Sequence, residues 1–176
     1  MDILQQREHE EFVLHKEFDI KLLSPIANYV NWKLNNDWDD YNELYHVAQL
    51  VNQIEKNPEL WFHTHTIQKS GLPVGVLLIV GGKITAIEES IEDEARTLLL
   101  KYFHIVEKGK GYGSHWLNSV IFPHYKALGY KKIFVSSSHK KSFSFYSKLG
   151  EFVKDYSKTS DNQLFKREGK SFLLSL

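Results

Sequence analysis

The chain has 176 residues, 42% of them hydrophobic and 25% charged, an ordinary globular balance whose length fits one domain with a sizeable core. Lysine plus arginine number 22, as do aspartate plus glutamate, and a net charge near zero argues against a general nucleic-acid binder. Cysteine is absent, which excludes disulfides, thiolate metal sites and a cysteine nucleophile and fits a reducing compartment.

Residues 1–8 lack the basic end and apolar run of a signal peptide. No stretch of roughly 18 apolar residues occurs, so a cytoplasmic protein with no membrane association is expected. Residues 11–18 read as a first strand. From 20 to 34, Leu22, Leu23, Ile26, Tyr29, Val30 and Leu34 recur near helical spacing, and Pro25 is early enough for a first turn. A second helix fits 41–56, with Leu44, Val47, Ala48, Val51 and Ile54 as its stripe and Asp39 or Asp40 as its cap. The period then changes. Residues 61–67 alternate as a half-buried strand does, 70–73 form a turn, and 74–80 are a continuous apolar run typical of a central strand. The acidic stretch 88–94 reads as a solvated connection to the next strand, 98–106.

Beyond a glycine-rich segment, Trp116, Leu117, Val120, Ile121, His124 and Leu128 lie at helical spacing until Gly129 stops the helix, with Pro123 expected to kink it. Residues 131–137 form a strand and 141–149 a short helix carrying Phe145, Tyr146 and Leu149 on one side. Residues 152–156 and 171–176 are late strands. The helix after the glycines is a crossover, so its flanking strands are parallel, whereas the short connections before it favour antiparallel neighbours. The expected fold class is α/β: a mixed, mostly antiparallel central sheet with one parallel pair and helices on both faces.

The glycine segment Lys108-Gly109-Lys110-Gly111-Tyr112-Gly113-Ser114 lies between a strand and a helix. The first amides of a helix lack internal partners and sit at the positive end of its dipole. Glycines let an anion approach the backbone, and two lysines add full charge. A pyrophosphate is a natural guest, and the alternative is a tight turn with no ligand. The spacing suits neither common nucleotide loop. Gly111 follows Gly109-Lys110 where a P-loop needs Ser or Thr, and G-x-G-x-G is not the dinucleotide G-x-G-x-x-G.

Residues 98–128 resemble the acetyl-CoA-binding motif of the GCN5-related N-acetyltransferases (GNAT): a strand, Gln/Arg-x-x-Gly-x-Gly/Ala, then a helix. Lys108 takes the Gln/Arg place, and Gly111 and Gly113 take the small-residue places. Residues 131–152 resemble the next motif of that family, with Phe145, Tyr146, Lys148 and Gly150 in register. His139 stands where the motif has Asn, Ser142 where it has Ala, and Glu151 precedes Phe152.

The resemblance implies a single acetyltransferase domain over 1–176 that moves acetyl directly from acetyl-CoA to a primary amine. It implies phosphate binding by the amides of 108–114, pantetheine along Phe103, His104 and Ile105, and His139 and Ser142 beside the cofactor. Tyr146 matches the family's Phe-Tyr pair, and a phenol is protonated at neutral pH, so it is the candidate general acid. No carboxylate lies in 96–101 to act as base, which leaves His104 or water. His63 and His65 share one strand face, but without cysteine or a third ligand no metal is expected. Trp32, Trp38, Tyr41 and Tyr45 surround the first helix pair, where this family shapes its acceptor site. The expected partner is a small-molecule or peptide amine, with no nucleic acid and no membrane; a homodimer stays open because family members are often dimers. The alternative function is a non-catalytic acyl-CoA-binding or regulatory module on the same fold.

Overall fold

The computed structural model describes residues 1–36, 41–88 and 91–176. Trp38 and both expected caps, Asp39 and Asp40, lie outside the described residues, as do Glu89 and Ser90 of the acidic stretch. The strands are β1 (Asp2–Arg7), β2 (Glu10–His15), β3 (Leu60–Lys69), β4 (Leu72–Gly82), β5 (Thr97–Ile105), β6 (Lys132–Ser137), β7 (Gly150–Thr159) and β8 (Lys166–Ser175). The helices are α1 (Ser24–Asn35), α2 (Glu43–Glu55), α3 (Tyr112–Trp116), α4 (Phe122–Ala127) and α5 (Phe143–Ser147). No described helix is long and apolar enough to cross a membrane.

The strands form one sheet in the order β1-β2-β3-β4-β5-β6-β8-β7. Within it β5 and β6 run parallel and their neighbours pair antiparallel. The fold class expected from the pattern is therefore the observed one. Alternation along β4 divides the core between two faces. Leu77 and Ile79 pack with Trp116, Leu117, Val120, Ile121 and Tyr125 of the crossover helix. Val76 and Leu78 pack on the other face with Ile26 and Val30 of α1 and Val47 and Val51 of α2. This double coverage explains why residues 74–80 are apolar without interruption.

Three local differences from the sequence reading have physical causes. The expected first strand is the second arm of a hairpin, because β1 is an edge strand of mostly exposed residues with no apolar pattern to betray it. The cap of α2 is Asn42, whose side chain accepts from the Tyr45 amide at 3.1 Å. Pro123 does not lie inside one continuous α-helix. It follows a π-helical turn, Leu117–Ile121, in which the Phe122 amide donates to the Leu117 carbonyl, so the wider turn accommodates the ring and its missing donor.

Candidate active site

The site begins where β5 and β6 part. Their parallel pairing runs from Thr97↔Lys132 to Leu100↔Val135 and stops. β5 continues along β4 to Ile105↔Gly75, while β6 continues along β8 to Ser137↔Lys170. The divergence opens a notch in the middle of the sheet. A bulge on β5 shapes it: the register against β4 shifts between Val76 and Leu78, and Tyr102 is left-handed at φ 53°. Such a conformation is costly for a bulky residue and tends to mark functional sites.

The bulge consumes one residue of the alternation. Leu98 and Leu100 face the crossover helix, and beyond the bulge Phe103 and Ile105 return to that face. Tyr102 joins the α1 and α2 side, as does His104, whose ring lies 4.7 Å from that of Tyr29. An unbulged strand would have sent His104 toward the crossover helix instead.

From the notch the chain enters the glycine loop. Gly109 and Gly111 adopt φ of +80° and +77°, and a Cβ built at either meets nothing within 4 Å. Glycine is required there for backbone conformation, not for space. At Gly113 the reason reverses: a Cβ would sit 3.3 Å from Phe145 and 3.4 Å from Phe103, so its absence lets the helix start close to those rings. Loop and notch border a cleft of about 650 Å³. Phe103, His104, Ile105, Lys108, Gly109, Gly111, Tyr112, Gly113, Ser114, His139, Ser142 and Tyr146 all line it, so the fold brings together nearly all of the residues singled out from sequence. Lys108 sits 4.6 Å over the Tyr29 ring. Burial, with the charge of Lys141 added, lowers its pKa. Two cations at one cleft are a direct reason for an anion to settle there.

A second cavity of about 980 Å³ lies among α2, the β5–β6 notch and the β7–β8 hairpin. Glu43, Tyr102, Phe103, Ser137, His139, Lys141 and Tyr146 border both spaces. Tyr146 is 6% exposed, with its ring against Phe145 and Phe172, and burial pushes its phenol pKa up. The hydroxyl therefore keeps its proton at neutral pH. Burial also pushes His104 down to about 4, with help from Lys108, Lys33 and His139, so its ring is neutral and a weak base. Glu43 is held by the Lys33 ammonium at 2.6 and 2.7 Å, and Lys33 is itself 1% exposed.

Solved acetyltransferase structures share this overall fold. A ribosomal-protein-alanine N-acetyltransferase from Brucella melitensis superposes with a TM-score of 0.60 at 13% identity, over 93% of this chain and 99% of that one. A phosphinothricin acetyltransferase of the GNAT superfamily from Sinorhizobium meliloti, solved in complex with AcCoA, gives 0.61 at 16%, over 94% and 88%. An N-acetyltransferase from Staphylococcus aureus Mu50 gives 0.59 at 13%, over 93% and 98%. The chain has the GNAT fold. No family sequence model matches it, and no curated protein matches it by sequence.

Within this GNAT fold several sequence-selected residues also make contacts with other side chains or with backbone. Lys110 does not line the cleft; its ammonium pairs with Glu107 at 2.9 Å. The hydroxyl of Tyr112 donates to Glu10 and accepts from Lys69 at 2.7 Å, tying the loop to β2 and β3. The Ser142 hydroxyl donates to the His139 carbonyl at 2.7 Å and so braces the turn before α5. His63 and His65 share the Tyr125 hydroxyl at 3.1 and 2.8 Å, a packing role under the crossover helix. Among the described residues no group of three or more His, Asp or Glu is placed to hold a metal. Trp32 borders the cleft and Tyr41 the second cavity, whereas Tyr45 is exposed and bonded to Gln49. Glu94 turns to Thr85, in keeping with a solvated connection, but Glu88 reaches the second cavity and pairs with Lys101 at 3.1 Å.

The sequence reading missed Glu43, Tyr102, and the cavity-facing Lys154, Tyr156, Lys158 and Arg167. The last group carried a signal, the period-2 spacing of Lys154, Tyr156 and Lys158, but polar residues in a strand do not announce which face they line.

Proposed function

We propose that this chain is an acyltransferase that takes acetyl-CoA in the glycine-loop cleft and transfers its acetyl group to a primary amine entering from the second cavity. The observation that carries this reading is the shared wall. The two spaces meet at the β5–β6 notch, with the protonated Tyr146 on the boundary between them. The residues fit the co-substrate: left-handed Gly109 and Gly111 leave their backbone open to a pyrophosphate, and Lys108 and Lys141 add charge. The acetyltransferases of the same fold, one solved with AcCoA, support the same choice.

Direct attack by the amine needs a polarised carbonyl, a deprotonated amine and a proton for the departing thiolate. Backbone amides of β5 beyond Leu100, released from β6, supply donors for the carbonyl. Tyr146 supplies the proton. No carboxylate lies on β5, and Glu43 and Glu88 on the cavity walls are engaged by Lys33 and Lys101, so the amine loses its proton to solvent in the open second cavity.

Calorimetric titration with CoA, followed by thiol-release assays with acetyl-CoA and a panel of primary amines, tests the proposal. We expect CoA to bind and thiol to be released on at least one amine. Binding without release on any amine would instead support the non-catalytic acyl-CoA module, and no binding of CoA would remove both readings.

A further inference from the structure

The glycine loop is costly to hold in one shape. Gly109 and Gly111 are left-handed with open space around them, and glycine loses more conformational freedom on ordering than any other residue. The restraint comes from the sheet beside it. The Lys69 ammonium lies 3.4 Å from one Glu107 oxygen, before the glycines, and donates to the Tyr112 hydroxyl at 2.7 Å, after them. One side chain thus fastens both ends of the loop. The other Glu107 oxygen accepts from Lys110, in the middle of the loop, at 2.9 Å.

Lys69 ends β3 and Glu10 begins β2, and the two are register partners, with the ammonium 3.2 Å from the Glu10 carboxylate. Opposite charges in that position stabilise an antiparallel pair. Tyr112 donates its hydroxyl proton to the same carboxylate. A lysine ammonium has three N–H donors, and Glu10, Glu107 and Tyr112 set three oxygens around this one. Burial raises the Glu10 pKa, but hydrogen bonds from Tyr112 and Lys69 outweigh it and hold the carboxyl below its usual value, so the anchor is ionised at neutral pH. One turn along α3 the same hairpin takes hold again: the His115 ring meets Gln5 at 2.9 Å and packs edge-on against Phe12. Glu107 and Tyr112 border the cleft, whereas Lys69 and Glu10 are not part of its wall. Resting on the acyltransferase reading above, we propose that Lys69 and Glu10 are positioning residues for acetyl-CoA, acting through Glu107 and Tyr112 to hold the glycine loop in its anion-binding shape before the ligand arrives. A loop ordered in advance spares the ligand the entropy of ordering it.

The test is a double-mutant cycle read by calorimetric titration with CoA. Lys69→Met keeps the stem and removes the ammonium; Tyr112→Phe keeps the ring and removes only the hydroxyl, with no change of charge. Lys69→Met should weaken CoA binding about tenfold and Tyr112→Phe about fivefold, as loss of a hydrogen bond to a charged group warrants. The double variant should bind within about twofold of Lys69→Met alone, because members of one network do not add. With any amine that the enzyme turns over, KM for acetyl-CoA should rise by the same factors while kcat stays within about twofold, the mark of lost binding rather than lost chemistry. Three results overturn the proposal: wild-type affinity in Tyr112→Phe, which would make Lys69 a remote charge acting on the phosphates; losses that multiply in the double variant; or a kcat that falls with them. Failure of the wild-type protein to bind CoA removes the acyltransferase reading as well. Wild-type binding with unchanged affinity in both single variants removes only this proposal.

Discussion

Tyr146 is the residue on which the proposed chemistry turns. Its ring packs against Phe145 and Phe172, so the Phe variant keeps the packing and removes only the hydroxyl. Tyr146→Phe should lower kcat about a hundredfold, within the usual range for a general acid, with CoA affinity and melting temperature unchanged. Unaltered turnover would take Tyr146 out of the mechanism. The raised pKa of this phenol adds a second expectation: the alkaline side of the pH–rate profile should not bear its signature. This residue was legible in the sequence because it stands in a short motif at fixed spacing. Glu43 and Tyr102 were not legible, since each acquires its place through contacts with distant segments.

At the scale of an element, the glycine loop is a conformational requirement. Gly109 and Gly111 hold left-handed φ in open space, and a side chain there costs about 1–2 kcal/mol. Because the loop is exposed, the strain falls on the bound conformation more than on the global fold. Gly111→Ala should weaken CoA binding about tenfold while leaving the unfolding temperature within experimental error; an unchanged dissociation constant would show that the loop does not hold the ligand. The β5 bulge is the other element that matters. It was invisible in the apolar pattern because Leu98–Ile105 is hydrophobic enough to read as a plain strand, and the extra residue at Tyr102 is seen only against the β4 register.

For the whole molecule, buried histidines set the acid limit. His65 is fully buried beneath the crossover helix, and burial holds its pKa well below the ordinary 6.5. The native ring stays neutral, whereas the unfolded chain takes up a proton below about pH 6.5. The unfolded state then binds more protons, so stability falls as pH drops through this window, approaching ~1.4 kcal/mol per pH unit for this one site. His15, His63, His104 and His124 shift in the same direction through burial. The carboxylates with lowered pKa, Glu10, Glu94 and Glu107, act only below their ordinary 4.5. Urea midpoints should therefore hold steady from pH 8 to 7 and decline between 6.5 and 5, with a shallower decline in His65→Gln. A flat profile down to pH 5 would contradict the burial of neutral histidine.

The sequence by itself determined the strand and helix order from β2 onward, the parallel pair around a crossover helix, the glycine loop and the Phe145-Tyr146 helix. These depend on local periodicity, glycine conformation and residue spacing, all written along the chain. Only the tertiary structure decided the β5 bulge, the place of Glu43 on the shared wall, the pairing of Lys110 with Glu107, the ties of Tyr112 to Glu10 and Lys69, and the opposed cations of β7 and β8. Each of those depends on which distant backbone lies alongside, and strand register and cavity walls are properties of pairs of segments rather than of any one segment.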